Sequence, residues 1–387
     1  MRIAIYGGSF NPPHLGHRAA AETVSRELNP DKFLIIPDRI PPHKEMAPNS
    51  PTPEERMELC KLNFSDIPAV EISDIELKRE GKSYTAHTVE YLRELYPQDE
   101  LILVVGTDMF LSFEEWYRYE YLFSNCSIAV LSRDEENRLK LKEEAERFRL
   151  EYGANIYLLP HEPLPMSSME IREKLRVRQG REQLKDEVYW SLVRNNYYEA
   201  SPEIQWLREK AFEYLTPNRI AHVAGCESEA VMLAMKWGED PETAAEAGIL
   251  HDITKRLSFD EQLKLCDKYG IILDNTELSS PALLHQRTGA EFAKELFGIS
   301  PQVYDAIRWH TTGKPDMTLL EKIIYLADVI EPSRNFSGVD KLRELSYTDI
   351  DEAMAYGLHS SIEEVKRQGR IPHENSEAAY LWYAAGK

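Results

Sequence analysis

The stretch that decides the fold of the N-terminal half is RIAIYGGSFNPPHLGH, residues 2–17. Its apolar run Arg2–Tyr6 is too short for a stable helix and is typical of a strand buried on both faces. The pair Gly7-Gly8 follows, and glycines after a buried strand let the backbone approach a bound anion closely. His14 and His17 come just before a predicted helix, so both side chains can face one ligand. The stretch therefore predicts a strand, an anion-binding loop and a helix.

Four more short apolar runs predict further strands, namely Lys32–Ile36, Leu101–Val105, Ser127–Leu131 and Asn155–Leu159. Stretches with helical periodicity lie between the runs, marked by Ala20, Val24 and Leu28 and by Val89, Leu92 and Tyr96. Strands that alternate with helices in this way form parallel sheets with right-handed crossovers. The first half is therefore predicted to be an α/β domain of Rossmann-like type, with a doubly wound parallel sheet.

The charge balance of the 387-residue chain limits its partners, because 46 Lys and Arg against 66 Asp and Glu leave a formal charge of −20. Such a chain repels nucleic acids and anionic membranes, so neither is expected as a partner. No apolar run approaches the ~18 residues of a membrane span, and the N-terminus breaks too early for a secretory signal. The cysteines form no C-x-x-C pair and predict reduced thiols in a cytoplasmic protein, at positions Cys60, Cys126, Cys226 and Cys266. The oligomeric state is left open, a homo-oligomer included.

Polar clusters follow several of the predicted strands, at the edge where open α/β sheets bind ligands. They are Gly7–His17, Pro41–Lys44, Gly106–Asp108 and Met166–Arg172. Because the carboxyl ends of parallel strands meet at one edge, these clusters predict one composite anion site. Ser167 and Glu170 have the spacing of a capping box, which either caps a helix or offers a helix N-terminus to a polyphosphate. Lys44 and Arg172 would add cations.

The sequence alone leaves two interpretations for each of two residues near this edge, Asp108 and Trp116. Asp108 either orients a ribose hydroxyl or a metal-bound water, or is an ordinary N-cap. Trp116 either stacks on a planar ring or fills the core.

Residues 1–197 resemble the bacterial nicotinate-nucleotide adenylyltransferases of the NadD type, within the nucleotidyltransferase superfamily. The resemblance rests on the Gly-Gly-Ser-Phe-Asn-Pro start, Pro-Pro-His-Lys, Ser83-Tyr84-Thr85, Gly-x-Asp with a downstream Trp, and the Ser-Ser-x-x-Ile-Arg helix start. It implies transfer of AMP from ATP, with Mg²⁺, to nicotinate mononucleotide. The chain departs from the pattern at Met169, where the family usually has Thr.

The resemblance also assigns roles to individual residues. It implies catalytic roles for His14, His17, Lys44 and Arg172 at the ATP phosphates, and it places Thr85 and Trp116 at the nicotinate end. It further implies that ATP or the acceptor is bound by Gly7, Gly8, Ser9, Phe10, Gly106, Asp108, Ser167, Ser168 and Ile171.

The character of the sequence changes after Asn195, where an aperiodic stretch ends in Pro202 and marks a domain boundary. Residues 203–387 show no convincing strand and are predicted to be all-helical. A stripe of Ile204, Leu207, Ala211 and Leu215 marks the first helix. Later helices are predicted from Val223, Val231 and Ala234 and over Ala244–Leu250, Phe259–Tyr269, Gly289–Phe297 and Leu319–Ile330.

Histidines and aspartates in apolar helical surroundings recur through this second half, namely His222, His251, Asp252, His285, His310 and Asp328. A single buried histidine is more often hydrogen-bonded in a core than bound to a metal. Several such sites in one domain favour a shared metal, since buried polar groups need partners and imidazole with carboxylate suits Mn, Fe, Co, Ni or Zn. Four histidines lack this setting and are interpreted as surface or capping residues, namely His87, His161, His359 and His373.

The order His…His-Asp…Asp resembles the HD superfamily of metal-dependent phosphohydrolases. Residues 203–375 are most similar to the YqeK-type HD domain through Leu-His-Asp-Ile-Thr-Lys, His-Thr-Thr-Gly and Leu-Ala-Asp-x-Ile-Glu-Pro-x-Arg. That resemblance implies symmetric hydrolysis of diadenosine tetraphosphate to two ADP by two iron ions. One ion would be bound by His222, His251, Asp252 and Asp328. The catalytic Asp252 would bridge to a second ion held by His285 and His310, and Lys255 and Arg334 are candidate phosphate contacts.

The sequence thus predicts a bifunctional enzyme that acts on small nucleotides. Two alternatives remain for the HD half, which could hydrolyse another nucleotide, such as a guanosine polyphosphate or a nucleoside monophosphate, or serve as a nucleotide-sensing module. The intact ligand set argues against a purely sensing role, since a binder needs no complete set of metal ligands.

Overall fold

The computed structural model describes residues 1–41, 46–132 and 135–386. The chain divides into two compact units, Met1–Ser201 and Pro202–Lys387. None of the described helices combines the length and the apolar character that a membrane crossing requires. Each unit is described below by itself.

The first unit is built on one six-stranded sheet in the order β3-β2-β1-β4-β5-β6, with every neighbouring pair parallel. Its strands are β1 (Arg2–Gly8), β2 (Lys32–Pro37), β3 (Val70–Ile72), β4 (Glu100–Gly106), β5 (Ser127–Ser132) and β6 (Ile156–Pro160). The predicted doubly wound parallel sheet is confirmed. The strand order reverses between β1 and β4, which opens a crevice at their carboxyl ends. Strand β3 was not predicted, because three residues at a sheet edge carry too little pattern.

Helices cover both faces of this sheet, and the residues of β1 alternate between two apolar cores. Ile3 and Ile5 belong to one core and Ala4 to the other, all essentially inaccessible to solvent. The helices are α1 (Leu15–Leu28), α2 (Pro53–Phe64), α3 (Thr85–Leu95), α4 (Thr107–Leu111), α5 (Tyr119–Asn125), α6 (Glu135–Tyr152), α7 (Ser168–Arg176) and α8 (Asp186–Arg194). Short 3₁₀ turns lie at Phe113–Glu115, Arg181–Gln183 and Tyr197–Glu199.

The second unit contains helices joined by loops and, among its described residues, no strand, as predicted. Its helices are α9 (Ile204–Phe212), α10 (Pro217–Trp237), α11 (Pro241–Leu250), α12 (Phe259–Tyr269), α13 (Asn275–Ser279), α14 (Leu284–Phe297), α15 (Pro301–Trp309), α16 (Leu319–Ile330), α17 (Val339–Thr348), α18 (Ile350–Arg367) and α19 (Glu374–Ala384). The bounds predicted for α12 and α16 agree with the structure. Leu215 is buried but lies beyond the end of α9, so the predicted stripe overran the helix.

Close packing of α10 on α11 brings two predicted metal ligands together. A Cβ atom on Gly248 would lie 3.0 Å from the Cα atom of Glu227, so only glycine permits this approach. His251 follows directly as the C-cap of α11, and its ring meets that of His222 from α10 with centroids 5.4 Å apart.

Candidate active sites

The first unit has a cavity of about 1030 Å³ at the carboxyl ends of β1 and β4. Twelve of the residues predicted for the adenylyltransferase site line it: Gly7, Gly8, Ser9, Phe10, His14, His17, Gly106, Asp108, Trp116, Ser167, Ser168 and Arg172. Three of the four predicted strand-end clusters thus meet in one cavity, while the fourth, Pro41–Lys44, lies outside the described residues except for Pro41, which does not line it. The roles of the individual residues remain predictions.

Three predicted residues are not placed in this cavity by the structure. Lys44, with the rest of residues 42–45, lies outside the described residues. Ile171 is fully buried in α7, and Thr85 is the first residue of α3, and neither is part of the cavity wall that the described residues form. Met169 is exposed and lines the cavity. The threonine that the family usually has at this position would therefore place its hydroxyl at the cavity wall.

His14 and His17 form a reciprocal cap at the start of α1. The backbone N–H of each donates to Nδ1 of the other at 3.3 Å, and the two rings stack with centroids 3.7 Å apart. Because both Nδ1 atoms accept a hydrogen bond, the ring proton of each neutral histidine is on Nε2. Burial lowers the pKa of His14 to about 4, so that ring is neutral at pH 7. The reciprocal cap thus fixes the orientation of both rings at the cavity, with Nε2–H as the remaining ring donor of each neutral imidazole.

Two first-turn amides of α1 are not free to bind an anion, contrary to the simplest reading of the sequence. The N–H of Gly16 donates to Sδ of Met166 at 3.2 Å, and that of His17 is held by His14. The first turn of α7 has more backbone amides without a hydrogen-bond partner among the described residues than the first turn of α1 has. The Ser167 hydroxyl caps the N–H of Glu170 at 3.2 Å, whereas the amides of Ser168 and Met169 have no hydrogen-bond partner among the described residues.

A buried ion pair that the sequence did not reveal holds the loop after β1. Arg56 is fully buried and donates from Nη1 to the carbonyl of Ser9 at 2.6 Å and to Oδ1 of Asp38 at 3.0 Å. The Ser9 hydroxyl donates to Oδ2 of Asp38 at 2.7 Å. Phe10 follows with φ of 45° and a buried ring that contacts His17 edge-on at 5.1 Å. The pair therefore supports the backbone that presents the histidines.

The structure locates Asp108 and Trp116, for which the sequence left two interpretations each. Gly106, not Asp108, is the N-cap of α4, so the capping alternative for Asp108 is wrong, and its exposed carboxylate lines the cavity. The structure shows the core-packing role of Trp116, and stacking on a ligand ring stays a prediction. The Trp116 ring packs on Phe113 of the core at a centroid distance of 5.0 Å and also lines the cavity. His161, interpreted as a surface or capping residue, lines the cavity as well.

We expect Gly16→Ala to impair the adenylyltransferase site without destabilising the fold. The new Cβ atom would lie 3.0 Å from Nδ1 of His14 and 3.2 Å from Cγ of Met166, so the imidazole must move. Contacts this short require a shift of a few tenths of an ångström. Because a displacement near 1 Å costs about 10²-fold in rate, we expect a smaller loss of kcat/KM than that, whereas alanine in place of glycine favours the helix. Steady-state kinetics and thermal unfolding of the variant check this, and unchanged kcat/KM would contradict the proposed role of the His14 position.

In the second unit, all six predicted metal ligands converge. His222 comes from α10, His285 from α14 and Asp328 from α16, while His251, Asp252 and His310 follow the ends of α11 and α15. The ligand atoms of His222, His251 and Asp328 lie within 4.8 Å of one another, as do those of His251, Asp252 and His310.

Each of the four histidines is oriented through Nδ1. His222 donates to Oε1 of Glu331 at 3.0 Å, and the other three donate to the carbonyls of Gly248, Ala282 and Ile307 at 2.6–2.7 Å. The Nε2 atoms therefore carry lone pairs. The Nε2 atoms of His285 and His310 are 2.9 Å apart, and those of His222 and His251 are 3.4 Å apart. Facing lone pairs repel unless a cation lies between them, so this donor set fits transition-metal ions.

Asp252 lies between the two halves of the cluster. Its Oδ2 is 3.6 Å from Nε2 of both His222 and His251, and its Oδ1 is 3.2 Å from Nε2 of His285 and 3.8 Å from that of His310. One carboxylate oxygen thus faces each half, as a bridging ligand requires.

Two of the candidate ligands have the neutral imidazole that metal binding requires. Burial lowers the pKa of His251 and of His285 to about 4. For His222, burial lowers the pKa but the Asp328 carboxylate outweighs it, so the pKa of His222 is raised. Burial alone would raise the pKa of Asp252, but the surrounding histidines, His251 first and then His285 and His310, hold it well below its ordinary value.

Three cations surround these ligands. Lys255 Nζ lies 3.1 Å from Nε2 of His285, and Arg334 donates from Nε to the carbonyl of Asp328 at 2.8 Å. Arg219, which the sequence did not single out, donates to Oδ2 of Asp252 at 2.8 Å. Burial lowers the pKa of Lys255. Lowering of its pKa makes Lys255 easier to deprotonate, so the lasting positive charge beside these ligands is that of the Arg219 and Arg334 guanidinium groups.

Glu331 is a second residue that sequence reasoning missed, although it stands in the quoted Leu-Ala-Asp-x-Ile-Glu motif. It is buried, accepts from Nδ1 of His222 at 3.0 Å and accepts from the backbone N–H of Ser333 at 2.7 Å. We expect Glu331→Ala to weaken metal binding about 10–100-fold, because the His222 ring loses its orienting partner. Competition with a chelator measures this. Glu229→Ala, which removes the acceptor of the Tyr347 hydroxyl, is the control and should retain wild-type affinity.

A third group, Asp274, Glu277 and His373, also has ligand atoms within 4.8 Å. Its atoms are already engaged. Asp274 caps α13, Glu277 pairs with Arg287 at 2.8 Å, and His373 bonds Asp274 at 3.0 Å while capping α19. The predicted capping role of His373 is confirmed, and the group is structural.

The fold and these two sites define a nucleotidyltransferase-type α/β domain followed by a helical HD domain. A cytidylyltransferase-like family model matches residues 5–174, and an HD domain model matches residues 219–333. The chain belongs, through its N-terminal half, to the nicotinate-nucleotide adenylyltransferase family.

Individual relatives give the extent of the similarity. The "Probable nicotinate-nucleotide adenylyltransferase" of Fusobacterium nucleatum is 36% identical over 198 residues, which cover 51% of this chain and 99% of that protein. The protein of the same name from Geotalea daltonii is 38% identical over 195 residues, 47% of this chain and 89% of its own. A solved "predicted HD superfamily hydrolase involved in NAD metabolism" from Clostridium acetobutylicum is 35% identical, covers 49% of this chain and 100% of its own, and has a TM-score of 0.47.

Proposed function

We propose that the first unit transfers AMP from ATP to nicotinate mononucleotide, giving nicotinate adenine dinucleotide and pyrophosphate in NAD biosynthesis. The observation that carries this proposal is the reciprocal His14–His17 cap at a cavity of about 1030 Å³. It is supported by membership of the family whose relatives bear that name.

The transfer needs no covalent intermediate on the protein. The acceptor phosphate oxygen attacks the α-phosphorus of MgATP in line, and the bond from that phosphorus to the bridging oxygen breaks to release pyrophosphate. The Nε2–H donors of His14 and His17, the open amides of α7 and the Arg172 guanidinium would stabilise the charge that develops on the phosphates. Fixed donors cost no reorganisation during the reaction, which suits a mechanism based on positioning.

We further propose that the second unit hydrolyses diadenosine tetraphosphate symmetrically to two ADP at a two-metal centre, with iron as the proposed metal. The close Nε2 pairs and the two-sided contacts of Asp252 support two ions. His222, His251 and Asp328 would hold one ion, His285 and His310 the other, and Asp252 both. When bound, such a pair supplies Lewis-acid activation of water and of the attacked phosphate. Lys255, Arg219 and Arg334 would orient the polyphosphate so that water cleaves its central P–O–P linkage.

The test is to incubate the purified full chain with a nucleotide panel and to identify products by chromatography. Dinucleotide formation from ATP and nicotinate mononucleotide, and two ADP from diadenosine tetraphosphate, are the expected results. Faster cleavage of a guanosine polyphosphate or a nucleoside monophosphate would overturn the second assignment. Nucleotide binding without turnover in the metal-loaded protein would indicate a sensing module instead.

A further inference from the structure

The turn Tyr197–Glu199 lies beyond the residues that the family model matches, yet its backbone is tightly constrained. Asn196, Tyr198 and Glu199 adopt φ values of 51°, 58° and 62°. None of them is glycine, and side chains disfavour this left-handed region. Such conformations persist where surrounding contacts hold them, and they cluster at functional sites. The contacts of Tyr198 show what this turn holds.

The first contact joins Tyr198 to the loop after β1. The Tyr198 side chain is fully buried, and its hydroxyl donates to Oδ1 of Asn11. Asn11 lines the cavity, and its carbonyl accepts from Nη1 of Arg172 at 2.6 Å. The Tyr198 hydroxyl therefore orients Asn11, whose carbonyl in turn orients the Arg172 guanidinium.

The second contact joins Tyr198 to α7 directly. The Arg172 guanidinium carbon lies 5.9 Å from the centre of the Tyr198 ring, within the range of a cation–π interaction. One helical turn later, Arg176 donates from Nε to the carbonyl of Tyr198 at 3.3 Å. The ring contact limits the position of the Arg172 guanidinium, and the Arg176 hydrogen bond ties the Tyr198 backbone to the same helix.

The third contact reaches residues 46–50, which follow the segment that contains Lys44. The N–H of Tyr198 donates to the carbonyl of Asn49 at 2.9 Å. The side-chain amide of Asn11 donates to the Ser50 hydroxyl at 3.0 Å. Three chain segments that carry cavity residues therefore meet at one tyrosine.

We propose that Tyr198 is a positioning residue for the polyphosphate of the nucleoside triphosphate, acting through Asn11 and Arg172. The proposal rests on the adenylyltransferase function proposed above. It places a functional contact about 25 residues past the segment that the cytidylyltransferase-like model matches, in the turn that precedes Ser201. Tyr198 touches neither reacting atom. It sets the direction of the cation that meets the phosphates.

The test compares Tyr198→Phe with Tyr197→Phe in the full chain. The Tyr197 hydroxyl bonds Glu55 instead of a cavity residue, so its loss is the matched control. Removing one hydrogen bond should raise KM for ATP at least about fivefold in Tyr198→Phe, with KM for nicotinate mononucleotide unchanged and the melting temperature lowered by no more than about 4 °C. A purely structural defect would lower the active fraction without raising KM for ATP alone. A change within twofold would overturn the proposal.

Two further measurements test the positioning role of Tyr198 independently of the proposed AMP transfer. Calorimetry with tripolyphosphate needs no turnover and should show at least about fivefold weaker binding to Tyr198→Phe than to wild type. That result would support the positioning role even if wild type transferred no AMP, and equal binding would overturn it. Combining Tyr198→Phe with Arg172→Ala should add little to the effect of Arg172→Ala, since residues on one path are not additive. Full additivity would contradict action through Arg172.

Discussion

Asp252→Ala is expected to abolish diadenosine tetraphosphate hydrolysis, with a loss of at least about 10³-fold, and to remove bound metal. The reason is geometric, because Oδ2 faces His222 and His251 while Oδ1 faces His285 and His310. One substitution therefore removes a ligand from both ions. Elemental analysis of the purified variant, together with product chromatography, measures the two losses.

The controls for this variant lie in the same chain. Asp267→Ala removes an exposed carboxylate of α12 and should retain both metals and hydrolysis. AMP transfer by Asp252→Ala should stay at the wild-type rate. Alanine at position 252 also leaves Arg219 without its hydrogen-bond acceptor. Asp252→Asn is therefore a second variant, because it removes the charge but keeps the shape and an acceptor oxygen. Two metals per chain in either Asp252 variant would disprove the bridging assignment.

His17→Ala is expected to lower kcat for AMP transfer about 10²–10³-fold, the usual effect of deleting one fixed donor to a developing oxyanion. The variant also loses the Nδ1 acceptor for the N–H of His14 and the stack on its ring. A lost cap costs about 1 kcal/mol, too little to unfold a domain of this size. Steady-state kinetics with both substrates, alongside thermal unfolding, measure the two effects.

Hydrolysis by the same chain is the internal control for His17→Ala and should be unaffected. Near-normal AMP transfer by the variant would remove His17 from the mechanism. Loss of both activities with a lowered melting temperature would instead mean that the substitution acts through stability.

Much of the fold could be predicted because its signals are local. Buried parallel strands appear as short apolar runs, and five of the six strands were found in this way. Strand β3 escaped because Glu71 is exposed and its two neighbours are only partly buried. The helices α17–α19 were not predicted, although α17 and α18 have clear buried faces. The capping signal at Ser167 was correct for the N–H of Glu170.

The convergence of the candidate metal ligands, and of most of the candidate phosphate-binding residues, could be predicted because these residues stand in compact motifs. Their supporting residues could not, since those contacts join distant parts of the chain. Arg56 reaches Ser9 across 47 positions, and Glu331 reaches His222 across 109. Arg219 stands in the same turn as His222, but nothing in its sequence context shows that it meets Asp252. Only the folded chain identifies these pairs.

The most direct test of the two-metal account is anomalous diffraction at the iron edge from crystals of the full chain. The account predicts two peaks about 3.5–4 Å apart, one beside His222, His251 and Asp328 and the other beside His285 and His310, with Asp252 between them. A single peak, or peaks at residues outside this cluster, would contradict it.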